Sequence, residues 1–251
     1  MHTIVTVVFF IYGLVFGSFF NVVGLRVPNG TLLAQTRSYC DTCQRTLTWR
    51  ELVPVWSFLR QRGKCSQCKE QISLLYPIME LATGLLAAVT FYRYGWTGQT
   101  FLGLLLIALI IPITVSDLAY RKIPNKLLLF FTPLFVGLRI LYPQPSLWAS
   151  LIGAVLAFGL VFVIIFVSNG GMGAGDLKYF TLLGFIFGPY LFLLLFFLAT
   201  LYGAITGMII MKLKDGDRKM TIPFGPYISL AAVTVFYFGE TMIQWYLALF
   251  S

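Results

Sequence analysis

Long apolar runs follow one another along most of this chain, broken by short polar segments. Runs of that length predict helices that cross a bilayer, because about 20 residues of helix span about 30 Å of hydrocarbon. The pattern places spans at 3–24, 75–94, 100–118, 127–142, 147–168, 177–188, 190–211 and 226–249. Barrel strands would need short alternating segments, and the chain has none. The expected fold class is therefore an all-α polytopic membrane protein with about eight transmembrane helices and one small polar insert. One choice stays open over 177–211, where Gly188-Pro189 either turns the chain between two crossings or kinks a single long helix.

Charge favours the two crossings. With the N-terminus outside and eight spans, the segments 25–74, 119–126, 169–176 and 212–225 face the cytoplasm. Counting Lys178 at the membrane edge with them, they hold every Lys and Arg except Arg93 and Arg139, a strong positive-inside asymmetry. A single helix over 177–211 would place Lys212, Lys214, Arg218 and Lys219 outside. Composition agrees with the class: 251 residues, 59% hydrophobic and 11% charged, do not describe a water-soluble globule. The net charge of +9 reads as orientation and attraction to anionic headgroups, not nucleic-acid binding, since no recognition module accompanies it. The first span resembles a signal sequence, but it is long and lacks an Ala-x-Ala site near Gly24, so it reads as a retained anchor.

All four cysteines fall in the polar segment 25–74, as Cys40-x-x-Cys43 and Cys65-x-x-Cys68. Disulfides and free thiols are the alternatives to a metal site. A reducing cytosol argues against disulfides, and two such knuckles supply four thiolates for tetrahedral zinc. A filled thiolate shell has no open position, so this zinc would be structural. It would staple a segment too short to build much core.

Nine acidic residues complete the inventory. Asp41, Glu51, Glu70, Asp215 and Asp217 sit in hydrated basic loops, and Glu240 lies late in the last span. Glu80, inside the second span, reads as an internal hydrogen-bond partner. Asp117 ends one apolar run and Asp176 opens another after Gly170, Gly171, Gly173 and Gly175, positions costly for a carboxylate unless it works. Each has a plain reading: Asp117 could pair with Arg121 at i+4, and Asp176 could be a helix N-cap after a glycine turn. Under the charge-derived topology both lie at the same cytoplasmic depth. Two facing carboxylates share a proton, so one can activate water while the other protonates the scissile carbonyl. Glycines beside Asp176 would admit an extended substrate backbone. The lone histidine, His2, lies on the opposite side. Ser18 and Asn21 read as an interhelical polar face with Gly17. Lys178 either biases the dyad or marks the interface, Lys122 reads as a topology charge, and the aromatic run 185–202 reads as lipid-facing.

The ordered motifs resemble the type IV prepilin peptidase family. They are Gly17-Ser18-Phe19-Phe20-Asn21-Val22-Val23 with Arg26-Val27-Pro28, Arg37-Ser38-Tyr39-Cys40, Glu51-Leu52-Val53-Pro54, Arg62-Gly63-Lys64-Cys65, Tyr76-Pro77-Ile78-Met79-Glu80-Leu81, Gly173-Ala174-Gly175-Asp176-Leu177-Lys178 and Pro223-Phe224-Gly225-Pro226. The resemblance implies a peptidase of the bacterial cytoplasmic membrane that removes the basic leader from type IV prepilin or pseudopilin precursors, with Asp117 and Asp176 as the catalytic pair. It also implies, as in many members, N-methylation of the new N-terminus from S-adenosylmethionine, although no methyl-donor pocket can be read from these residues. The expected domains are a first helix at 1–24, a cytoplasmic zinc domain at 25–74 and a transmembrane peptidase domain at 75–251. A proton-coupled transporter is disfavoured by the lack of an inverted repeat, and a zinc-ribbon scaffold leaves both aspartates idle. An archaeal-type preflagellin peptidase is expected to lack the cysteine loop. The precursors cut and the oligomeric state are not readable.

Overall fold

The structure is a computed structural model and describes residues 2–32, 37–40, 42–168, 171–213 and 222–249. Asp41, Gly170, Lys214, Asp215, Asp217, Arg218 and Lys219 lie outside the described residues. The chain forms two compact units, Met1–Ala119 and Tyr120–Ser251.

In the first unit, helix α1 (His2–Arg26) leads into the polar insert, which contains a 3-10 turn (Trp49–Glu51) and the short helix α2 (Trp56–Arg60). Helices α3 (Leu75–Tyr94) and α4 (Gly98–Tyr120) follow. Van der Waals packing must hold helices together where lipid is as apolar as the side chains, and small residues permit it. A Cβ on Gly13 would lie 2.8 Å from Gly84 Cα, and one on Gly17 would lie 2.8 Å from Glu80 Cα. Gly24 stands equally close to the Pro112 carbonyl and Val115 of α4. The expected polar face of α1 is present: Asn21 is buried, and its amide donates to the Tyr76 carbonyl at 3.2 Å.

The second unit holds α5 (Asn125–Leu141), α6 (Leu147–Val167), α7 (Ala174–Leu213) and α8 (Gly225–Ala248). Helix α7 is interrupted at Gly188, whose φ of 74° and ψ of 177° only glycine adopts readily. The interruption reverses the chain. Phe180 lies 6.1 Å from Phe192 and 5.3 Å from Phe196, ring centre to ring centre. Along an unbroken helix Phe180 and Phe196 would be about 24 Å apart. The two limbs, 174–187 and 189–213, thus form a hairpin with Gly188-Pro189 at its turn. The aromatic run is accordingly two-sided, which corrects the lipid-facing expectation for 185–202. Phe187, Phe192, Leu195 and Ala199 point inward, whereas Tyr190 and Phe197 are exposed.

Glycines also set the approach of α6 to the first limb. A Cβ at Gly153 or Gly184 would collide with the other's carbonyl oxygen. The turn itself is held by Arg139 of α5, one of the two basic residues that the charge count leaves outside. It is buried, and its guanidinium donates to the Gln144 and Ile186 carbonyls. Ile186 lies two residues before the break at Gly188, where the first limb ends. A cation at a helix C-terminus is also favoured by the aligned peptide dipoles.

Among the described residues, six helices are long and apolar enough to cross a membrane, fewer than the eight expected. The difference has two sources. Residues 174–213 count as one helix despite their reversal, and α5, at 17 residues, is short for a span. No named strand occurs among the described residues, which carry only the isolated bridges Tyr39–Thr46 and Lys64–Gln71.

Candidate active site and metal centre

The insert is two copies of one local design. In each knuckle the N–H of the first cysteine donates across the turn, from Cys40 to the Arg45 carbonyl at 3.0 Å and from Cys65 to the Glu70 carbonyl at 2.8 Å. The residue after each second cysteine takes a positive φ, 56° at Gln44 and 62° at Lys69. The bridges Tyr39–Thr46 and Lys64–Gln71 close the two turns at matching positions. This repetition brings the Sγ atoms of Cys40, Cys43, Cys65 and Cys68 within 4.8 Å of one another. Cys40 and Cys68 are 3.7 Å apart, too far for a disulfide and close to the roughly 3.8 Å expected across a tetrahedral site with zinc–sulfur bonds of about 2.3 Å. All four cysteines are free, and the cluster could hold a metal ion.

Backbone amides favour the thiolate form at Cys65 and Cys40. The N–H groups of Cys68 and Gln67 pull Cys65 down to about 6, and those of Cys43 and Thr42 lower Cys40. At Cys68 the Glu70 amide acts in the same direction, but desolvation and the other thiols hold it up at about 11. Four crowded sulfurs resist full ionisation together, and a dication removes that conflict.

A charge network joins the knuckles. Glu51 accepts from the Arg45 guanidinium, the Ser66 hydroxyl and both the N–H and hydroxyl of Thr48, the last two at 3.0 Å. The Arg45 guanidinium beside Glu51 holds that carboxyl at about 2. The same guanidinium donates to the Ser66 hydroxyl at 2.6 Å, next to Cys65, whose thiol also favours its charged form. Glu51 appeared in the sequence only as a loop carboxylate within Glu51-Leu52-Val53-Pro54, and its pairing with Arg45 did not, because a single Arg and Glu six positions apart are ordinary in a basic loop.

Glu80 behaves as expected. It is buried in α3, and its carboxylate accepts the Val55 N–H at 2.7 Å, tying the insert to the helix.

Asp117 is buried, 6% exposed, one turn before the end of α4, within an inward-facing stretch that includes Thr114 and Ser116. Asp176 is half-buried in the first turn of α7. It is not the N-cap foreseen at this site, because the small residues Ala174 and Gly175 let the helix begin earlier than Leu177. From the third helical position its carboxylate reaches back and accepts the Gly173 N–H at 3.1 Å. The glycines have internal uses. A Cβ on Gly173 would sit 3.1 Å from Asp176 Oδ2, and one on Gly175 would sit 3.1 Å from Ile123 Cβ. Lys178 donates to Asn125 Oδ1 at 3.0 Å, which fixes the start of α5 to the same turn. Deeper in the unit, the buried Tyr179 hydroxyl bonds Ser229 of α8 at 2.9 Å.

Together these features define a polytopic helical membrane protein with a four-cysteine cluster and an aspartate near the end of each of two membrane helices. Residues 11–94 match the bacterial peptidase A24 N-terminal domain, and residues 104–208 match the type IV leader peptidase family. The chain is 36% identical over 240 residues to the prepilin leader peptidase/N-methyltransferase of Bacillus subtilis, covering 96% of this chain and 97% of that protein. It is 32% identical to the protein of the same name from Pseudomonas aeruginosa, over 94% of this chain and 91% of that one. The Stutzerimonas stutzeri counterpart is 29% identical over 94% and 92% of the two chains. The chain belongs to the type IV leader peptidase family. No solved structure matches it.

Proposed function

We propose that this protein is an aspartic endopeptidase of the bacterial cytoplasmic membrane that removes the basic leader from type IV prepilin or pseudopilin precursors. Asp117 and Asp176 form the dyad. The observation that carries this reading is that both aspartates, each set at a helix end in a hydrophobic chain, fall within the segment matching the leader peptidase family. The alternatives of a transporter or a docking scaffold have no such support.

The chemistry needs only the two carboxyls and a water. One aspartate takes a proton from water as its oxygen attacks the scissile carbonyl, and the other, protonated, donates to the carbonyl oxygen. Collapse of the tetrahedral intermediate then expels the new amine, which takes up a proton. The backbone N–H of Gly173 holds the Asp176 carboxylate in one orientation before substrate arrives.

In this reading the N-terminus is outside, eight crossings place 25–74 and both aspartates at the cytoplasmic face, and residues 75–251 carry the peptidase. Cys40, Cys43, Cys65 and Cys68 bind zinc, whose contribution is to cross-link the insert. The shared name of the relatives extends the proposal to methylation of the new N-terminus from S-adenosylmethionine.

The decisive assay is cleavage of a prepilin in membranes. Asp117→Asn and Asp176→Asn should each lower the rate by at least about a thousandfold while the protein still inserts and stays folded. Full activity in either variant removes that residue from the dyad. Methylation is read separately, as added mass on the processed N-terminus only when S-adenosylmethionine is present.

A further inference from the structure

The polar insert exposes an apolar face that its own fold leaves uncovered. Trp49 is 72% exposed, and Trp56 and Leu59 are each 63% exposed, with Leu52 and Val53 beside them also open. Trp56 and Leu59, three apart on α2, share one side of that helix, and the exposed Trp49, Leu52 and Val53 lie just before it in the chain, while the Phe58 ring packs at Gly63. In a hydrated loop such a cluster marks an interaction surface.

Its depth follows from Glu80. The bond from the Val55 N–H to that carboxylate fixes Val55 beside a residue about 8 Å along α3, a 20-residue helix with barely enough length to cross the hydrocarbon. The segment 52–59 therefore folds back from the aqueous side to the level where hydrocarbon meets headgroups. Tryptophan favours that zone. The surrounding charge fits anionic lipid. The segment 25–74 carries eight Lys and Arg residues against three acidic ones, and Arg50 lies over the Trp49 ring at 5.3 Å. A basic precursor leader would be repelled by the same surface.

We infer that the face formed by Trp49, Leu52, Val53, Trp56 and Leu59 docks into the anionic membrane interface, anchoring the insert to the bilayer surface. This surface contains neither aspartate, and the inference rests on the membrane reading alone. It stands or falls independently of the proposed peptidase activity.

The test uses the full chain in vesicles of phosphatidylcholine, with and without phosphatidylglycerol, made from ordinary lipid or lipid brominated near the top of the acyl chains. The emission of Trp49 and Trp56 is the difference between wild type and a Trp49→Phe/Trp56→Phe variant, which keeps aromatic bulk. Retained zinc and an unchanged unfolding temperature confirm that the variant folds. Bromolipid should remove at least roughly half of the difference emission, and phosphatidylglycerol should increase that loss. A difference emission untouched by bromolipid but quenched by aqueous iodide overturns the proposal. So does shielding from iodide that appears only when a prepilin is added, which would assign the face to the precursor. If the variant loses zinc, Leu59→Gln with wild-type tryptophans replaces it, and it must shift the quenching from bromolipid toward iodide or the proposal fails.

Discussion

The polar insert and the α7 hairpin, packed against α6, solve the same problem by opposite means. Each must hold a short stretch of chain in a sharply turned shape. The insert has little core to bury, so it relies on four sulfurs, a shared carboxylate and two tight turns. The hairpin sits among apolar side chains, where it relies on close backbone approach at Gly153 and Gly184 and on one buried guanidinium. Water decides the difference. A hydrated segment gains from ligand bonds and charge pairs that fix geometry, whereas within a bilayer packing and satisfied carbonyls are what distinguish one arrangement from another.

The comparison breaks most visibly if the thiolates are removed. Cys65→Ser, or a strong chelator added to the wild type, should release zinc and leave residues 37–74 exchanging their amide hydrogens freely. A structural zinc site of this kind holds on the order of 10 kcal/mol of folding free energy. Helices α5–α8 should keep their protection. Purified protein holding much less than about one zinc per chain would end the metal assignment, and equal loss of protection in 120–251 would show that the two regions do not fail separately.

Next in size is Gly184→Leu, which drives a side chain into the Gly153 carbonyl and Ala157. Neither is the yielding end of a flexible side chain, so the limb must move away, at a cost above about 4 kcal/mol. Most of the protein should then fail to accumulate in the membrane, while any that folds retains stoichiometric zinc. Wild-type abundance and thermal stability would show that the helices are not packed at this point.

Arg139→Gln tests the polar part of the hairpin. A glutamine is too short to reach both carbonyls, and at least one buried acceptor is left unpaired for about 1–3 kcal/mol. A lower unfolding temperature and faster exchange around 186–192 are expected. An unchanged profile would show that Arg139 does not hold the turn.

How far such features can be read from sequence depends on whether their cause is local. The span at 75–94 was legible to the residue, because apolar length is a property of the run itself. The cysteine spacing likewise announces its cluster. The Gly188-Pro189 reversal was half legible: the residues suggest a turn, but only the Phe180–Phe196 contact separates a hairpin from a kink. Asp176 was found as a candidate and misplaced within its helix, since the start depends on how Ala174 and Gly175 pack. Arg139 could not be found at all, because its partners are the carbonyls of a loop and a separate helix, which no spacing along the chain encodes.

The smallest expected effect lies in the network behind the sulfurs. Glu51→Gln keeps the shape of the side chain but removes the charge that holds Arg45 and Ser66 beside Cys65. Changing a group that supports a metal ligand in this indirect way commonly weakens metal binding about 10-fold to 100-fold. Because Arg45 and Glu51 are partly exposed, the lower end applies. Competition with a chromogenic chelator at neutral pH measures it. The sign with pH is also fixed. Glu51 is held at about 2, below its ordinary 4.5, so its contribution is complete above pH 4.5 and declines as pH falls toward 2. The wild type should therefore bind zinc more tightly than Glu51→Gln by a constant factor between neutral pH and about pH 5. Equal affinities across that range would mean that four thiolates alone determine metal binding, leaving the insert with no charge component in the comparison.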